Sequence, residues 1–589
     1  MATAPPQLSY QGDTFGLVAG GEGVAARADV VGLDGGPYVL RLSLLSSVEV
    51  AGKRDETYAL AAAPVAVDAD DSTLTLERRS SAWSSASVRV ECRRSHLIVR
   101  HQMEGQGALG RAVLLGGYAV TARASGPIYS GTELPSLFSP GPHNPRRTAS
   151  SSEAAAVVGV SGDSLAGRGH WFFTPGPLCF ALGKQGGPWV VIGLLAPVEE
   201  MTFPELVYQP LDNGFRLEVD YEGHAGAAGT FRPPAVVVVP GCPDPPSGVG
   251  TYRKLLEDHG FAPGEAHRRG RARERAPWWS EPMFCGWGSQ CHLAVRANTT
   301  ALDQCTQANY DTFLAELTAH GLKPGTVVVD DGWQEQYALP TPDPERWPSL
   351  RSWIRHRHEQ GQKVLLWWRA WSPQGAPRAA CLTNAAGHPV AAGPVNDEAT
   401  AWLEATIRDL LSPDGLDADG LKVDFTAMTP RGWHVGGEPP GTWGIALLHR
   451  YLSVVYAAAK KAKPDALVIT HSANPAFATV TDMVRLNDML RLDEPQPWAP
   501  VVEQMSYRAS IVRAACPGTL VDTDDWCAPD LAQWREYLAV KGAIGVPALY
   551  YTTHLDRTGQ ALEERDYEQL RQVWSEARAR TQPSGEAEP

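Results

Sequence analysis

The alternation of hydrophobic and polar positions divides the chain into two parts with different periods. Up to about residue 250, short stretches alternate with period two between Gly, Pro and Ser, as in PYVLRLSLL, SVRVECRRSHLIVRHQ and FRLEVDYEG. Period-two alternation is typical of strands with one buried face, and regularly spaced turn signals between such strands indicate a sandwich. We therefore predict an N-terminal antiparallel β-sandwich over residues 1–250.

After residue 280, apolar stretches of strand length alternate with longer segments of helical period. The predicted strands are MFCGWG, TVVVDDGW, KVLLWWRAW, GLKVDF, ALVITHS, DMLRLDE, GTLVDTDD and VPALYYTT. Strands that each precede a helix predict a (β/α)₈ TIM barrel, here over residues 281–575. The alternative, a doubly wound open sheet, usually carries a G-x-G-x-x-G loop after its first strand, and GWGSQCHLA does not fit that pattern.

Two further segments flank the predicted barrel. Residues 251–280 join a helical stretch, TYRKLLEDHG, to a basic run, HRRGRARERAPWW, and are interpreted as a helical and basic linker. Residues 576–589 include RTQPSGEAEP, a polar composition that cannot bury enough apolar surface to fold. We expect them to form a disordered tail, so that the chain as a whole is multidomain.

Composition and charge exclude several classes of function. The formal net charge of −14 argues against a nucleic-acid partner, since phosphate binding needs a concentrated basic surface. No apolar run approaches the roughly 20 residues that cross a bilayer, and the first residues lack the pattern of a secretory signal. The nine scattered cysteines have no zinc-site spacing. We expect a cytoplasmic protein without metal or other cofactor and without a membrane partner, which could form a homo-oligomer.

Polar and aromatic residues concentrate at the ends of the predicted barrel strands, where barrel enzymes place their active sites. These strand-end residues are Trp287, Asp330, Asp331, Trp367, Trp368, Lys422, Asp424, Arg491, Asp493, Asp522 and Asp524. Period two puts Lys422 and Asp424 on one face of GLKVDF. Clustered acids also bind Mg²⁺ or Ca²⁺, but acids mixed with Trp, Lys and Arg favour a sugar cleft with the paired carboxylates of glycoside hydrolysis.

Several of these motifs resemble a known group of enzymes. VVVDDGWQ at 327–334, followed by GLKVDF at 420–425, resembles the α-galactosidase clan of retaining glycoside hydrolases. The likeness is greatest to family 36, which includes bacterial α-galactosidases and the raffinose synthase group, and FCGWGSQ and KVLLWW match its tryptophan-bearing strand ends. The resemblance implies a β-sandwich before the barrel. The family's C-terminal β domain is expected to be absent here.

The resemblance also implies roles for individual residues. Asp424 would be the nucleophile, and Lys422 would bind sugar hydroxyls and help to keep Asp424 ionised. Asp330 and Asp331 would accept hydrogen bonds from O4 and O6 of galactose. The remaining residues expected to bind substrate are Trp287, Trp367, Arg491, Trp333, His471 and Asp524.

The acid/base residue is open between two aspartates. The family's motif is R-x-x-x-D followed five residues later by Trp, and this chain reads VRLNDMLRLDEPQPW. Asp493 keeps the five-residue spacing to Trp498 and would share a strand face with Arg491, so it is the first choice. Asp488, three residues after Arg485, is the second choice.

The function expected from this resemblance is retaining hydrolysis of terminal α-galactosides. Transglycosylation of the raffinose-synthase type would use the same residues. The fifth strand ends in THSANP, which departs from the family at a segment that helps to select the sugar's 2-position, so α-N-acetylgalactosaminidase activity also stays open. A carbohydrate-binding barrel without catalysis is the non-enzymatic alternative. Residues 431–444 would be either a long loop or a lid that carries Trp433 and Trp443.

Overall fold

The computed structural model describes most of the chain. The described residues are 7–20, 27–32, 39–44, 46–54, 65–116, 128–129, 136–140, 155–160, 172–183, 188–211, 214–439, 441–490 and 497–581. Among these residues, no helix combines the length and the apolar character that crossing a membrane requires.

The N-terminal region is built from antiparallel strands. Its strands are β1 (Leu8–Gln11), β2 (Phe15–Gly20), β3 (Arg27–Gly32), β4 (Val39–Ser43), β5 (Ser47–Val50), β6 (Val65–Ala69), β7 (Thr73–Arg78), β8 (Ser85–Cys92), β9 (Leu97–Gly116), β10 (Ile128–Tyr129), β11 (Ser136–Phe138), β12 (Ala156–Gly159), β13 (Cys179–Gly183), β14 (Trp189–Leu195), β15 (Glu205–Leu211), β16 (Gly214–Asp220), β17 (Gly226–Phe231) and β18 (Ala235–Cys242). One sheet has the order β1-β2-β3-β4-β10, and a larger sheet is organised around the long strand β9. The predicted antiparallel character is confirmed, whereas the sandwich arrangement stays a prediction.

Two helices connect these sheets to the second half of the chain. They are α1 (Pro245–Asp258) and α2 (Glu265–Glu274). Asp244 caps α1 by accepting a hydrogen bond from the Ser247 amide, and a proline follows at the first helical position. Tyr252 anchors α1 to the larger sheet because its hydroxyl donates to the Leu194 carbonyl at 2.6 Å. The segment interpreted as a linker is therefore largely helical.

The second half of the chain is a parallel barrel, as predicted. Its strands are β19 (Met283–Cys285), β20 (Thr326–Val329), β21 (Lys363–Arg369), β24 (Gly420–Asp424), β26 (Leu467–Thr470), β27 (Met483–Arg485), β28 (Leu520–Asp522) and β29 (Ala548–Leu549). Seven of the eight neighbour pairs are β-ladders, and a single parallel bridge between Asp522 and Val546 completes the circle. Strands such as β20 and β26 are buried at every position, which is why they read as apolar runs.

Helices surround the barrel, and a small antiparallel sheet lies beside its mouth. The helices are α3 (Trp287–Ala297), α4 (Gln307–Ala319), α5 (Leu350–Glu359), α6 (Asp397–Leu411), α7 (Gly444–Ala462), α8 (Val501–Ala515), α9 (Leu531–Ile544) and α10 (Glu564–Thr581). The small sheet consists of β22 (Cys381–Asn384), β23 (Pro389–Ala392) and β25 (Val435–Gly436). Side chains at the N-caps of α4, α6 and α9 accept backbone hydrogen bonds, which fixes where these helices begin.

Two predicted boundaries are wrong. The sixth barrel strand is Met483–Arg485 and not 488–494. Asn487 adopts a left-handed backbone with φ of 69°, which ends the strand, and Met489 and Leu490 are both buried although they are consecutive. In addition, α10 continues to Thr581, past the predicted start of the tail at 576. Residues 582–589 lie outside the described part of the chain.

Candidate active site

A cavity of about 410 Å³ opens at the carboxyl ends of the barrel strands. Its size suits a small molecule, and its walls combine aromatic, acidic and basic side chains. The cavity is lined by Trp287, Asp330, Asp331, Trp367, Lys422, Asp424, Phe425, Ala427, His471, Arg485, Asn487, Asp488 and Trp526. A larger surface groove of about 1120 Å³ runs along α4 and α5 outside the barrel, away from these strand ends. The mouth cavity is therefore the candidate active site.

Asp424 ends strand β24 and is held by donors on three sides. Its Oδ2 accepts from Trp367 Nε1 at 3.1 Å and lies 3.4 Å from Arg485 Nη2, while Oδ1 accepts from the Phe425 amide at 2.7 Å. Phe425 has a positive φ of 56°, which is uncommon for a residue with a Cβ and turns its amide onto the carboxylate. Asp424 is thus oriented before any ligand arrives.

The charges around Asp424 keep it ionised. Burial alone would raise its pKa, but the cations of Arg485 and Lys422, with the hydrogen bond from the Phe425 amide, hold the pKa of Asp424 far below the usual range. A carboxylate that stays ionised and points into a cavity is able to act as a nucleophile.

Lys422 contacts Asp330 and not Asp424. Its Nζ donates to Asp330 Oδ2 at 2.6 Å, both side chains are buried, and the Cys285 thiol donates to the same oxygen at 2.9 Å. Burial opposes the charge of Lys422, but Asp330 raises the Lys422 pKa above its ordinary value. The predicted partnership of Lys422 with Asp424 is therefore indirect, and Arg485 is the cation in direct contact with Asp424.

Asp331 lines the cavity and has a raised pKa. Burial and the neighbouring Asp330 raise the pKa of Asp331 to about 7, against a hydrogen bond with Tyr337. Among the described residues, its buried Oδ1 has no hydrogen-bond partner. A buried polar atom without a partner is costly, so Asp331 is prepared to bind a hydroxyl group in the cavity.

Arg485 ends strand β27 and connects the acidic residues of the mouth. Its Nη1 contacts Asp524 Oδ2 at 2.6 Å and Asp488 Oδ1 at 3.2 Å, and its Nε donates to His471 Nε2 at 2.8 Å. Burial and the cation of Arg485 lower the pKa of His471 to about 3, so the imidazole is neutral and accepts this hydrogen bond. One guanidinium therefore orients several side chains of the site.

Asp488 lines the same cavity and has the opposite protonation behaviour to Asp424. Burial in the mouth, with the neighbouring Asp524 and Asp424 charges, raises the pKa of Asp488 to about 7 in spite of the Arg485 contact. About a third of the side chain, 36%, is accessible, so a ligand in the cavity can reach it. Asp488 is protonated for part of the time near neutral pH and is able to donate a proton.

The remaining residues predicted to bind substrate do not all line the cavity. His471, Trp287 and Trp367 line the cavity as expected. Trp333 does not line it, because its fully buried indole donates to the Trp367 carbonyl at 2.8 Å. Asp524 is fully buried behind Arg485. The first-choice acid/base Asp493 and its neighbour Arg491 lie outside the described residues.

Of the two interpretations of residues 431–444, a long loop and a lid, the positions of the two tryptophans favour the long loop. Trp443 is fully buried and stacks on His224 of the N-terminal region, with ring centroids 3.5 Å apart. Trp433 is 81% exposed and does not line the cavity. Among the described residues, no group of three or more His, Cys, Asp or Glu is arranged to hold a metal ion.

Sequence reasoning missed Arg485, Asn487, Phe425 and Trp526 as residues of the cavity. Arg485 and Asn487 were hidden by the misplaced sixth strand, and a strand at MVR would have put Arg485 at its end. Trp526 follows the acids after β28 in TDDW, and a Trp beside strand-end acids is the signal that identified Trp287. No sequence signal shows that Phe425 has a positive φ.

Comparison with known proteins gives similarity in structure alone. No protein-family model matches the chain, and no curated protein sequence matches it. A GH31 family sulfoquinovosidase from E. rectale, in complex with the aza-sugar inhibitor IFGSQ, is 10% identical, with a TM-score of 0.55 over 97% of this chain and 82% of the other. The α-galactosidase from Thermus thermophilus in complex with stachyose is 15% identical, with a TM-score of 0.48 over 82% of this chain and 97% of the other.

A GH36 α-galactosidase from Geobacillus stearothermophilus, in complex with 1-deoxygalactonojirimycin, is 13% identical, with a TM-score of 0.49 over 92% of this chain and 74% of the other. At such identities the similarity concerns the fold, and the fold agrees with the motifs at the barrel strand ends. The comparison therefore shows that this chain shares its overall fold with the GH31 family sulfoquinovosidase.

Proposed function

We propose that this protein is a retaining glycoside hydrolase that removes terminal α-galactosyl groups, with Asp424 as nucleophile and Asp488 as acid/base. The observation that carries the proposal is that Asp424 and Asp488 line one cavity and contact the same Arg485 guanidinium, in surroundings that drive their pKa values in opposite directions. Two carboxyls that differ in this way can divide the roles of nucleophile and proton donor between them.

In the first step, the ionised Asp424 attacks the anomeric carbon, and Asp488 gives its proton to the leaving oxygen. A covalent glycosyl–Asp424 ester forms as the bond to the aglycone breaks. In the second step, Asp488 takes a proton from water, the water oxygen attacks the anomeric carbon, and Asp424 leaves. Trp367 and Arg485 contact Asp424 Oδ2, so they can stabilise the negative charge that returns to that oxygen.

The assignment of Asp488 replaces the first sequence choice, Asp493. Asp424 contacts Nη2 and Asp488 contacts Nη1 of the Arg485 guanidinium, and both carboxyls line the same cavity. A retaining mechanism requires the two carboxyls about 5–5.5 Å apart in the complex with substrate. The comparison of Asp488→Ala with Asp493→Ala decides between the two assignments.

The galactose assignment rests on the DDGW motif and on the geometry of Asp331. Its partnerless oxygen suits a sugar hydroxyl, and Asp330 beside it is held in place by Lys422. The two described cations of the cavity, Lys422 and Arg485, are both paired with carboxylates. An uncharged sugar therefore suits these walls better than an anionic one.

The test is a comparison of p-nitrophenyl α-galactoside with the matching α-glucoside, α-N-acetylgalactosaminide and α-sulfoquinovoside. A buried acceptor that loses its partner costs on the order of 1–3 kcal/mol, so we expect kcat/KM for the galactoside to exceed that for the glucoside by roughly tenfold or more. Equal rates would contradict the galactose assignment. A larger sugar formed from a galactoside and sucrose, in place of free galactose, would identify transglycosylation.

A further inference from the structure

The loop after strand β27 contains a side chain that the proposed mechanism does not use. Asn487 Oδ1 accepts from Arg485 Nη2 at 3.1 Å and from the Asp488 amide at 2.9 Å. Its Nδ2 donates to the carbonyl of Phe172 at 3.0 Å. The three hydrogen bonds of the Asn487 side chain therefore connect Arg485 and the Asp488 backbone to Phe172, in another part of the chain.

That other part is a segment of the N-terminal region, Phe172–Gly176, which lies on the barrel mouth. The Thr174 amide donates to the His471 carbonyl at 3.1 Å, and Ser472 Oγ donates to the Thr174 carbonyl at 2.8 Å. Asn474 Nδ2 donates to the Gly176 carbonyl at 2.8 Å. The segment is thus fixed to the loop after β26 as well as to Asn487.

The backbone of the Asp488 loop is held independently by Arg508 of helix α8. Its Nη1 donates to the carbonyls of Leu486, Asn487 and Asp488 at 2.8, 3.0 and 2.8 Å. The Arg508 guanidinium also lies over the Phe172 ring, 4.7 Å from its centroid. The loop backbone therefore keeps support if the Asn487 side chain is removed, and the two contributions can be tested separately.

We propose that Asn487 is a positioning residue that aims Asp488 at the substrate, and that the N-terminal region takes part in catalysis by holding the Asn487 amide through the Phe172 carbonyl. This inference rests on the proposed function. Without the anchor, the Asn487 side chain is free to rotate away from Arg485 and from the Asp488 amide. Proton transfer requires donor and acceptor at hydrogen-bond distance, so such a movement impairs the acid without removing it.

The protonation of Asp488 depends on the charges that face it. These are Arg485 at the end of β27, Asp424 and Lys422 of β24, and Asp524 after β28. A carboxylate in place of the Asn487 amide would add one more negative charge beside Asp488. Like charge disfavours ionisation, so this change raises the pH at which Asp488 loses its proton.

Two variants separate the parts of the proposal. Asn487→Gly removes the whole side chain, and glycine adopts the positive φ of 69° at this position without strain. Asn487→Asp keeps an acceptor toward Arg485 and the Asp488 amide but loses the donor to the Phe172 carbonyl. This second variant keeps the proposal testable if the glycine variant does not fold. The matched control is Asn474→Ser, which also removes a hydrogen bond to the Phe172–Gly176 segment but does not line the cavity.

The experiment measures kcat/KM on an alkyl α-galactoside and on an aryl α-galactoside whose leaving group needs little protonation. For Asn487→Gly we expect a loss of roughly 10–100-fold on the alkyl substrate and less than about threefold on the aryl substrate. For Asn487→Asp we expect the basic limb of the pH profile to move to higher pH. Asn474→Ser should lower the melting temperature without changing the ratio of the two substrates.

If Asn487→Gly loses the same factor in kcat/KM on the alkyl and aryl substrates, and the pH profiles of the variants are unchanged, the inference is overturned but the proposed function is not. The same holds if Asn474→Ser changes the ratio of the two substrates as Asn487→Gly does. A wild-type protein that cleaves neither substrate would overturn the proposed function, and the inference with it. The two failures are therefore distinguishable.

Discussion

At the scale of the residue, the groups around the Arg485 guanidinium explain why two aspartates in one cavity differ in protonation. Its Nη2 lies 3.4 Å from Asp424, which also accepts from the Trp367 indole and the Phe425 amide. Its Nη1 lies 3.2 Å from Asp488, which faces two further carboxylates, Asp524 and Asp424. Neighbouring cations and donors therefore hold the pKa of Asp424 low, whereas burial and the nearby negative charges raise the pKa of Asp488.

The first prediction concerns the pH dependence of activity. Asp488 must be protonated to act as an acid, and its pKa is raised to about 7. We expect kcat/KM of the wild type to fall as pH rises through about 7. Because Asp424 stays ionised, we expect no loss of kcat/KM from its protonation above pH 4. The measurement is kcat/KM for an alkyl α-galactoside from pH 4 to 9. The control is the melting temperature, which must stay above the assay temperature at every pH so that unfolding is excluded as the cause. A constant kcat/KM through pH 7–9 would contradict the assignment of Asp488 as the acid.

A second prediction concerns stability and involves Asp522 at the end of β28. Burial and the neighbouring Asp524 raise the pKa of Asp522 to about 6, so the folded protein holds this proton more tightly than the unfolded chain does. The resulting contribution to stability is fully present below about pH 4 and is lost as pH rises through about 6. Asparagine cannot ionise, and it keeps an acceptor for the Asp524 amide, which now donates to Asp522 Oδ1 at 2.9 Å.

We therefore expect Asp522→Asn to be close to wild type in free energy of unfolding at pH 4. At pH 8 the variant should be more stable by about 1–3 kcal/mol. Urea unfolding at the two pH values measures this difference. A variant that is equally destabilised at both pH values would show that folding does not raise the pKa of Asp522.

At the scale of the element, most of the barrel could be predicted from the sequence and the sixth strand could not. GLKVDF and TVVVDDGW are buried apolar runs between turns and helices, and this pattern is typical of strands in a parallel sheet. The segment DMLRLDE alternates with period two as a strand does. That alternation does not mark the barrel strand here. Asn487 turns the chain, and Met489 and Leu490 are both buried in the loop that follows. The misplaced strand put Asp493 at a predicted strand end, which contributed to its being the first choice for the acid/base.

The loop after strand β24 is held by the N-terminal region, which no local pattern indicates. Glu222 Oε2 accepts from the Gly432 amide at 2.8 Å and from the Trp443 indole at 3.0 Å. His224, two residues later, stacks on Trp443. Trp443 is therefore a structural contact, as expected for a long loop and not for a lid over the cavity.

The third prediction follows from these contacts. Glu222→Ala leaves two donors without their acceptor, so the free energy of unfolding should fall by about 1–3 kcal/mol. Urea denaturation measures the change. Glu568→Ala on the exposed face of α10 is the control and should change stability by less than about 0.5 kcal/mol. If the two variants are equally stable, the Glu222 contacts do not hold the loop.

At the scale of the whole molecule, the candidate site depends on contacts between distant parts of the chain. Asn487 and Phe172 are 315 residues apart in sequence, and Glu222 and Trp443 are 221 apart. Period and composition report which face of an element is buried, but they do not report which distant carbonyl an amide will meet. The strand-end acids could therefore be predicted from sequence, whereas the groups that orient them required the structure.

The central claim is that Asp424 and Asp488 act as nucleophile and acid/base of a retaining mechanism. The most direct test is the stereochemistry of the azide product formed by Asp424→Ala and Asp488→Ala from an activated aryl α-galactoside. Asp488→Ala still forms the glycosyl–enzyme, so azide should restore turnover and give α-galactosyl azide. Asp424→Ala forms no such intermediate, so azide can attack only from the vacated side and should give the β-azide. Asp488→Ala with wild-type activity on alkyl and aryl substrates alike, or the same azide anomer from both variants, would contradict the account.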